Sequence, residues 1–540
     1  MNNTKSGSFS PFKSKAFSLI WIATVLSNIG TRMHEIAAGW LMTSLSTDPL
    51  MVALVQSAST LPIFLFSLLA GAVADIVSKR ALLIVTQVMM AAVAAILTYT
   101  VFIGSITPWM LLIFVFVLGT GAAFAAPAKQ SIVPLLVPKE DMQSAIALNS
   151  AGFNLSRAIG PAIAGIVIVS LGMAVPFAFN SISFLVIIGA FLWWHPRRAK
   201  HKLPSEHVPR AMIVGLRYAY YNTQLRETLW RVFAFFISVS AFWSLLPLVV
   251  KTELNGDARF FGILVGSIGL GAFIGTFLLP HIKKNAKPEQ VIAISCLLLA
   301  LIFILVASLK IQLLVVFCCL VFGSCWICVL STLNVSAQLS LPDWVRARGL
   351  SIYLMVFFGS MSAGSIMWGT LASYIGISQT LLVSSITLIS GVFLTRKLTL
   401  SQGQPTDFSH STHWTEPVVV VCSENEKKHI NERSPVMVTV EYNINRVDTE
   451  RFLSLMQQLG QKRRQYGAYS WDVLEESDHP GVYIEYFLDV SWLEHLRHHE
   501  RVTNKDRELQ KQIRELHIGE HPPKVRHFFG PSPKIKKKGQ

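Results

Sequence analysis

The chain has 540 residues, 52% of them hydrophobic and only 14% charged, with a formal net charge of +16. An ordinary soluble domain is about a quarter charged, so this composition, with a mean hydropathy of +0.48, excludes one soluble globule and calls for a polytopic membrane part. The charge collects in short loops and after Arg396, which separates a water-soluble tail from the membrane part on composition alone.

The chain opens MNNTKSGSFSPFKSKAFSL, with lysines and no small-residue cleavage site after a short apolar core, which predicts no removable signal peptide. From Phe17 to Thr395 the sequence is a near-continuous series of apolar segments, each close to the roughly 20 residues that a helix needs to cross a bilayer. Cutting at charged and Pro/Gly-rich turns predicts about twelve spans, at 17–43, 50–75, 80–103, 108–134, 143–170, 174–195, 226–250, 258–280, 288–309, 312–338, 347–374 and 378–396. Loops on one side hold Lys79, Arg80, Lys139, Arg197, Arg198, Lys200, Lys202, Arg210, Arg217, Lys283, Lys284, Lys287, Arg346, Arg348, Arg396 and Lys397; the other side holds little beyond Lys251, Arg259 and Lys310. The positive-inside rule then places both termini, the 196–225 loop and the tail in the cytoplasm of a multi-pass inner (plasma) membrane protein. Topology and the basic C-terminal KIKKKGQ account for much of the positive charge, so no nucleic-acid partner is needed.

Cys296, Cys318, Cys319, Cys325 and Cys328 lie in apolar segments and Cys422 in the linker, so no disulfide framework is expected. The C-x-x-C of Cys325 and Cys328 has no His or second Cys pair near it in sequence, and small-residue helix packing is its better reading. Neither half holds G-x-x-x-x-G-K-[ST], so an ion gradient rather than a nucleotide is the expected energy source, and no cofactor or metal is expected.

The halves repeat. A shift of 204 residues aligns Gly71 with Gly275, Lys79 and Arg80 with Lys283 and Lys284, Pro138 with Pro342, Ser156 with Ser360, Gly160 with Gly364, and Gly165 with Gly369. An even number of spans per half gives both the same orientation, a 6+6 parallel repeat with a central site between two bundles and alternating access as the expected mechanism. Ionisable groups within spans cost about 2.5 to 3.5 kcal/mol each at a helix centre and ask for a partner or a role. They are Arg32, His34 and Glu35 in span one and Arg157 in span five. At 1.5 Å per residue Arg32 and Arg157 reach similar depth, about 21 to 22 Å from the start of their spans. Glu35 is the candidate that takes and releases a coupling proton, with Arg32 or Arg157 stabilising its charged form; a structural Arg32–Glu35 pair three residues apart is the alternative. Trp243, Trp326, Tyr353, Phe357 and Phe358, with Asn28, are candidates for a cavity suited to a flat or amphipathic cargo. Gly262, Gly266, Gly271 and Gly275 mark close helix packing.

Several of these stretches resemble a known family. Gly71-Ala-Val-Ala-Asp75-Ile-Val-Ser-Lys79-Arg80 is similar to the G-x-x-x-D-R-x-G-R-K gate motif of the major facilitator superfamily, departing from it at Ile76 and Ser78. Gly71 there permits close helix approach, and Asp75 can meet basic residues or a helix N-terminus. Gly160-Pro161-Ala-Ile-Ala-Gly165 resembles the G-P-x-x-x-G signature of exporting members, where small residues and a proline bend allow tight packing. The stretch Gly119-Thr-Gly-Ala-Ala-Phe-Ala-Ala-Pro127-Ala-Lys129-Gln130, continuing to Arg157, resembles the enterobactin-exporter branch, the transmembrane secretion effector group. The resemblance implies a proton-driven exporter of a siderophore or other amphipathic small molecule. Many proton antiporters of the superfamily carry an arginine in span four, four residues before a glycine; the corresponding position here is Val115, and Arg157 is the nearest substitute.

In the tail, alternation at Val436–Tyr442, helical periodicity over 447–464, strands at 467–475 and 481–489, a helix over 490–515 and a last strand at Lys524–Phe529 predict β-α-β-β-α-β, the ferredoxin-like split pattern. This resembles the small dimeric α+β barrels that include cofactor-independent antibiotic-biosynthesis monooxygenases, which implies a homodimerisation or regulatory module. His495, His498 and His499 have metal-ligand spacing, but a solvated basic helix face is the expected reading.

The expected architecture is thus an all-α polytopic membrane protein of about twelve transmembrane helices plus a small cytoplasmic α+β domain. Its expected parts are a six-helix bundle at 1–196, a cytoplasmic loop at 197–225, a second bundle at 226–398, a linker at 399–434, the ferredoxin-like domain at 435–530 and a basic end at 531–540. The expected function is secondary export with protons, lipid and a small-molecule substrate as partners. An importer, and a membrane-anchored monooxygenase-like enzyme or sensor, are the alternatives.

Overall fold

The computed structural model describes residues 9–194, 208–342, 344–400, 435–502, 504–519 and 521–529. The 399–434 linker beyond Leu400, the basic end and most of the loop before residue 208 lie outside the described residues.

Helices fill all twelve apolar segments: α1 Lys15–Leu45, α2 Pro49–Ile76, α3 Lys79–Phe102, α4 Pro108–Leu136, α5 Met142–Leu171 and α6 Ala174–Trp193, then α8 Thr223–Leu248, α9 Ala258–Asn285, α10 Pro288–Ser308, α11 Gln312–Leu339, α12 Arg346–Ile375 and α13 Ile377–Thr395. Eleven are long and apolar enough to cross a membrane. The remaining one, α1, is 31 residues long but carries Lys15, Arg32 and Glu35 along its length. The predicted 196–225 loop is corrected, because a fourteen-residue helix, α7 Val208–Tyr221, occupies its second half. Its arginines mark topology without forbidding a helix, so a charge count alone did not reveal it.

The turns state their chemistry. Asp48 accepts from the Leu50 N–H with Pro49 at the first helical position, Thr107 accepts from Met110 ahead of Pro108, and Asp257 accepts from Phe260. These are the side-chain acceptors and the pre-set φ that helix starts favour. Gly172 and Gly376, at φ 98° and 87°, make the α5–α6 and α12–α13 turns in the left-handed region that glycine enters without strain.

The chain divides into two compact units. The first comprises residues 1–206, 227–335 and 351–400. Within it α1 packs on α5 and α6, α2 on α4, α3 on α4 and α6, α5 on α9, and α10 on α13. Phe17, Ile20, Leu83, Ile132, Ile187 and Phe191 form a core among α1, α3, α4 and α6, and Phe242, Phe303 and Phe322 stack among α8, α10 and α11. Many large apolar side chains stay exposed, Phe277, Leu313 and Phe393 among them, as a surface facing lipid requires.

The second unit comprises residues 207–226, 336–350 and 401–540. Its strands are β1 Val436–Asn443, β2 Ser470–Glu475, β3 Val482–Asp489 and β4 Lys524–Phe529, and its helices include α14 Thr449–Tyr466, α15 Trp492–Arg501 and α16 Asn504–Glu515. The sheet is antiparallel in the order β2-β3-β1-β4. The single helix expected over 490–515 is two helices, one ending at Arg501 and the next beginning at Asn504, with Val502 buried. Alternate β1 residues Val440 and Tyr442 pack under Phe452, Met456 and Leu459 of α14, the period of two that a half-buried strand requires. In the same unit α7 packs on α14, the Arg217 guanidinium donates to the Gly467 carbonyl at 2.6 Å, and Trp344 lies with its ring centroid 6.1 Å from that of Tyr466. Asn222 donates to Ser340 O at 3.0 Å.

Candidate functional site

Six helices drawn from both halves of the first unit meet around a cavity of about 110 Å³. Span one supplies Arg32, His34 and Glu35 to its wall, α2 supplies Val52, Val55, Gln56 and Ser59, and α5 supplies Arg157 and Pro161. From the second half, α8 supplies Trp243, Ser244 and Pro247, and α9 supplies Phe261, Val265, Ile268 and Gly269. Val115 of α4 is on the wall as well, so the position without the superfamily's arginine faces the same space as Arg157.

Arg32 Nη1 donates to Glu35 Oε2 at 2.6 Å, with both side chains part-exposed. One helical turn brings an i, i+3 pair together in this way. The Arg32 guanidinium also lies 5.4 Å from the centroid of the Phe153 ring. Buried His34 packs its ring edge-on against Phe177 at 5.1 Å, and neither ring nitrogen has a hydrogen-bond partner among the described residues. The Trp243 indole N–H is likewise buried without an acceptor.

The glycines set how closely the helices approach. A Cβ placed at Gly160 would stand 2.7 Å from the Arg32 Cβ; one at Gly165 would stand 2.7 Å from the Ala258 carbonyl oxygen; one at Gly262 would stand 2.6 Å from the Pro161 carbonyl oxygen. The predicted G-P-x-x-x-G stretch therefore does two things: Gly160 seats the α1 arginine, and Gly165 lets α5 cross α9. Gly269 repeats the approach, 3.0 Å from Ala158 Cα on the same measure. At the end where α1 turns into α2, the Lys251 ammonium donates to the Thr43 carbonyl and Trp40 stacks on Phe261 at 5.9 Å. Ser57 of α2 donates to the Ser362 carbonyl of α12 at 2.9 Å.

The gate motif is placed differently from the expectation at one residue. Among the described residues, no atom beyond its own stretch of helix lies within 4 Å of a Cβ built on Gly71, so none of them is brought into close helix approach by this glycine. Lys79 donates to Ser131 O at 3.4 Å, and Arg80 donates to the Phe191 and Leu192 carbonyls at 2.8 and 2.6 Å. Arg80 thus caps the C-terminal carbonyls of α6, where a cation is favoured. The Asp75 side chain lies outside the described residues.

Of the cavity candidates Trp243 is on this wall, and Asn28, Trp326, Tyr353, Phe357 and Phe358 are not. Trp326 and Phe357 pack against Phe236 in an aromatic core, and Tyr353 is buried. Sequence reasoning missed Gln56, Ser59 and Ser244, which carry no pattern of their own. It also missed buried Arg231 at the start of α8, whose guanidinium donates to Thr395 O and Leu398 O at 2.8 and 2.7 Å.

In the tail, His495 is corrected from a solvated face to the interior: it is 1% exposed and its Nδ1 meets Asp489 Oδ2 at 2.9 Å. The side chains of His498 and His499 lie outside the described residues, and no metal-ligand cluster occurs among the described ones.

A profile of the family described as transmembrane secretion effector matches residues 6–533. The chain is similar to a staphyloferrin A transporter of Staphylococcus aureus, 25% identical over 386 residues that cover 69% of this chain and 94% of that one. It is 23% identical over 417 residues to the multidrug efflux pump Tap of Mycolicibacterium fortuitum, covering 73% and 98%. Among solved structures, a bacterial homologue of the human lysosomal transporter Spinster, inward-facing and unoccupied, superposes with a TM-score of 0.58 at 13% identity over 72% of this chain and 98% of that one.

Proposed function

The chain belongs to the transmembrane secretion effector family of major facilitator transporters, a multi-pass membrane protein, and from that premise we propose that it exports a siderophore or other amphipathic small molecule by proton-driven alternating access. The carrying observation is the cavity walled from both halves by Arg32, Glu35, Arg157 and Trp243. A site shared by two packed bundles opens to either side when they rock. The matching ends of α5 and α12, of α4 and α11 at their starts, and of the Gly172 and Gly376 turns, each 204 positions apart, support the 6+6 reading with α1 as the twelfth span. The loop arginines and lysines support an inner-membrane orientation with both termini and the tail cytoplasmic. A relative named as a staphyloferrin A transporter and one named as a multidrug efflux pump support a small-molecule cargo, and the second name supports outward movement.

In this mechanism Glu35 takes a proton from one side and gives it up on the other. Arg32, already paired with it at 2.6 Å, holds its charged form, and protonation frees the arginine toward the cavity. Arg157, on the same wall, is the second cation that the charged state can engage. The β-α-β-β-α-α-β order, with the second helix of the split pattern broken in two, and the antiparallel β2-β3-β1-β4 sheet support a ferredoxin-like tail with a regulatory or dimerising role.

The test compares siderophores and other secreted metabolites inside and outside cells lacking the gene, cells complemented with it, and cells given Glu35→Gln. Internal build-up relieved by the intact gene but not by Glu35→Gln is expected. Reduced uptake with unchanged efflux would reverse the direction. PH-gradient-driven transport that persists in Glu35→Gln at normal expression would remove Glu35 from the coupling step.

A further inference from the structure

The cavity's polar groups are unevenly spent. Its one carboxylate, Glu35, is held by Arg32 at 2.6 Å, whereas Arg157 meets no carboxylate within ion-pair distance among the described residues. Two guanidinium groups therefore face one carboxylate, a net positive charge in a small, largely apolar space. Among the described residues, His34, 5% exposed, has both ring nitrogens without a partner, and the buried Trp243 N–H has no acceptor. Both side chains line the same cavity from opposite halves. Buried donors left unpaired are costly unless a ligand or water supplies the acceptor, and an ionisable group inside a membrane span marks a functional contact by default. Gln56, Ser59 and Ser244 add neutral polar groups to the wall, and Val52, Val55, Val115, Phe261 and Val265 give it its apolar part.

We infer that this cavity binds a small-molecule carboxylate with an apolar body, its anionic oxygens received by Arg157, the Trp243 N–H and the His34 ring. A guanidinium presents a planar fork that matches a carboxylate with two parallel hydrogen bonds, and the indole and imidazole supply single, directed donors. A cationic amphiphile would meet two arginines against one already paired glutamate, so the same wall selects against it. The inference rests on the reading of this cavity as the transport site and narrows its cargo.

The test uses the full chain purified in detergent and three probes of nearly equal size and different charge: benzoate, benzamide and benzylamine. The thermal midpoint is followed against probe concentration. Benzoate should raise it saturably, and the other two should not. Arg157→Gln should weaken benzoate at least about tenfold, with partial recovery in Arg157→Lys, and Trp243→Phe, which keeps an aromatic ring and removes one N–H, should weaken it several-fold. If Arg157→Gln does not give monodisperse protein, Trp243→Phe and His34→Ala carry the comparison. Equal or stronger stabilisation by benzylamine or benzamide overturns the assignment, as does no shift with benzoate, or a benzoate shift unchanged in the variants that fold. Benzoate binding that depends on these residues, without flux in proteoliposomes, upholds the ligand class while overturning the transport reading.

Discussion

A methyl group added at Gly165 would sit 2.7 Å from the Ala258 carbonyl oxygen and 3.2 Å from the Gly262 Cα, both backbone atoms that cannot swing aside. Overpacking of this kind costs about 1 to 3 kcal/mol. Gly165→Val should therefore lower the thermal midpoint of the detergent-solubilised protein. Gly71→Ala, with open space around it, should leave the midpoint unchanged or raise it, since alanine favours a helix by about 1 kcal/mol. Equal loss in both would deny the crossing its special geometry. In the tail, buried Glu485 accepts from Arg463 Nε at 2.9 Å, Trp471 Nε1 at 3.0 Å and the Tyr442 hydroxyl at 3.2 Å. Burial, and after it the Glu485 charge, push the Tyr442 phenol well above its ordinary range, so it stays a neutral donor. Removing one member of such a buried pair strands the other, at a cost of about 3 to 5 kcal/mol. Arg463→Met should speed hydrogen exchange across β1, β3 and α14 while leaving peptides of α3 and α4 unchanged. His527 supplies the pH dependence: burial, and then the neighbouring His495, lower its pKa from 6.5 to about 4 in the folded tail. Between those values the unfolded chain holds the extra proton, so the tail loses stability as pH falls from about 6.5 toward 4. Hydrogen exchange of β4 measured at pH 7 and pH 5 should show that loss, reduced in His527→Phe.

At the scale of elements, the spans and turns were legible because each is written locally. Apolar runs bounded by Asp48-Pro49, Thr107-Pro108 and Gly172 announce where a helix begins or ends, and the Arg32–Glu35 pair follows from three-residue spacing on one helix. What was not legible depends on partners distant in the chain. Gly165 and Gly262 are each visible as small residues, but nothing local says that α5 and α9 lay these two backbones together. Trp243 and Trp326 are indistinguishable in sequence, and only the packing of α8 and α11 sends one to the cavity and the other into the Phe236 cluster. His495 misled for the same reason, since a histidine-rich helix looks solvated until β3 brings Asp489 beneath it. α7 was hidden by its role in topology, where its arginines were read as signals of side rather than as members of a helix with a buried face.

For the whole molecule, the division into units does not follow the order of the chain, which passes from one unit to the other after residues 206, 226, 335, 350 and 400. The tail shares its unit with α7 and with the segment joining α11 to α12, through Arg217 on Gly467 and Trp344 beside Tyr466. The covalent linker is then only one of several ties. With a protease site inserted between residues 405 and 425, the cut tail should remain with the rest of the protein through gel filtration, and Arg217→Ala combined with Trp344→Ala should release it. A tail lost on cutting the unaltered chain would show the linker to be the sole tether. Nicking and deletion thus become different operations: a nicked protein keeps α14 lying on α7, whereas a chain stopped at residue 400 leaves that face of α7 bare. A truncation phenotype would then report a newly sticky surface as well as a missing domain, and the two can be told apart by supplying the tail as a separate polypeptide.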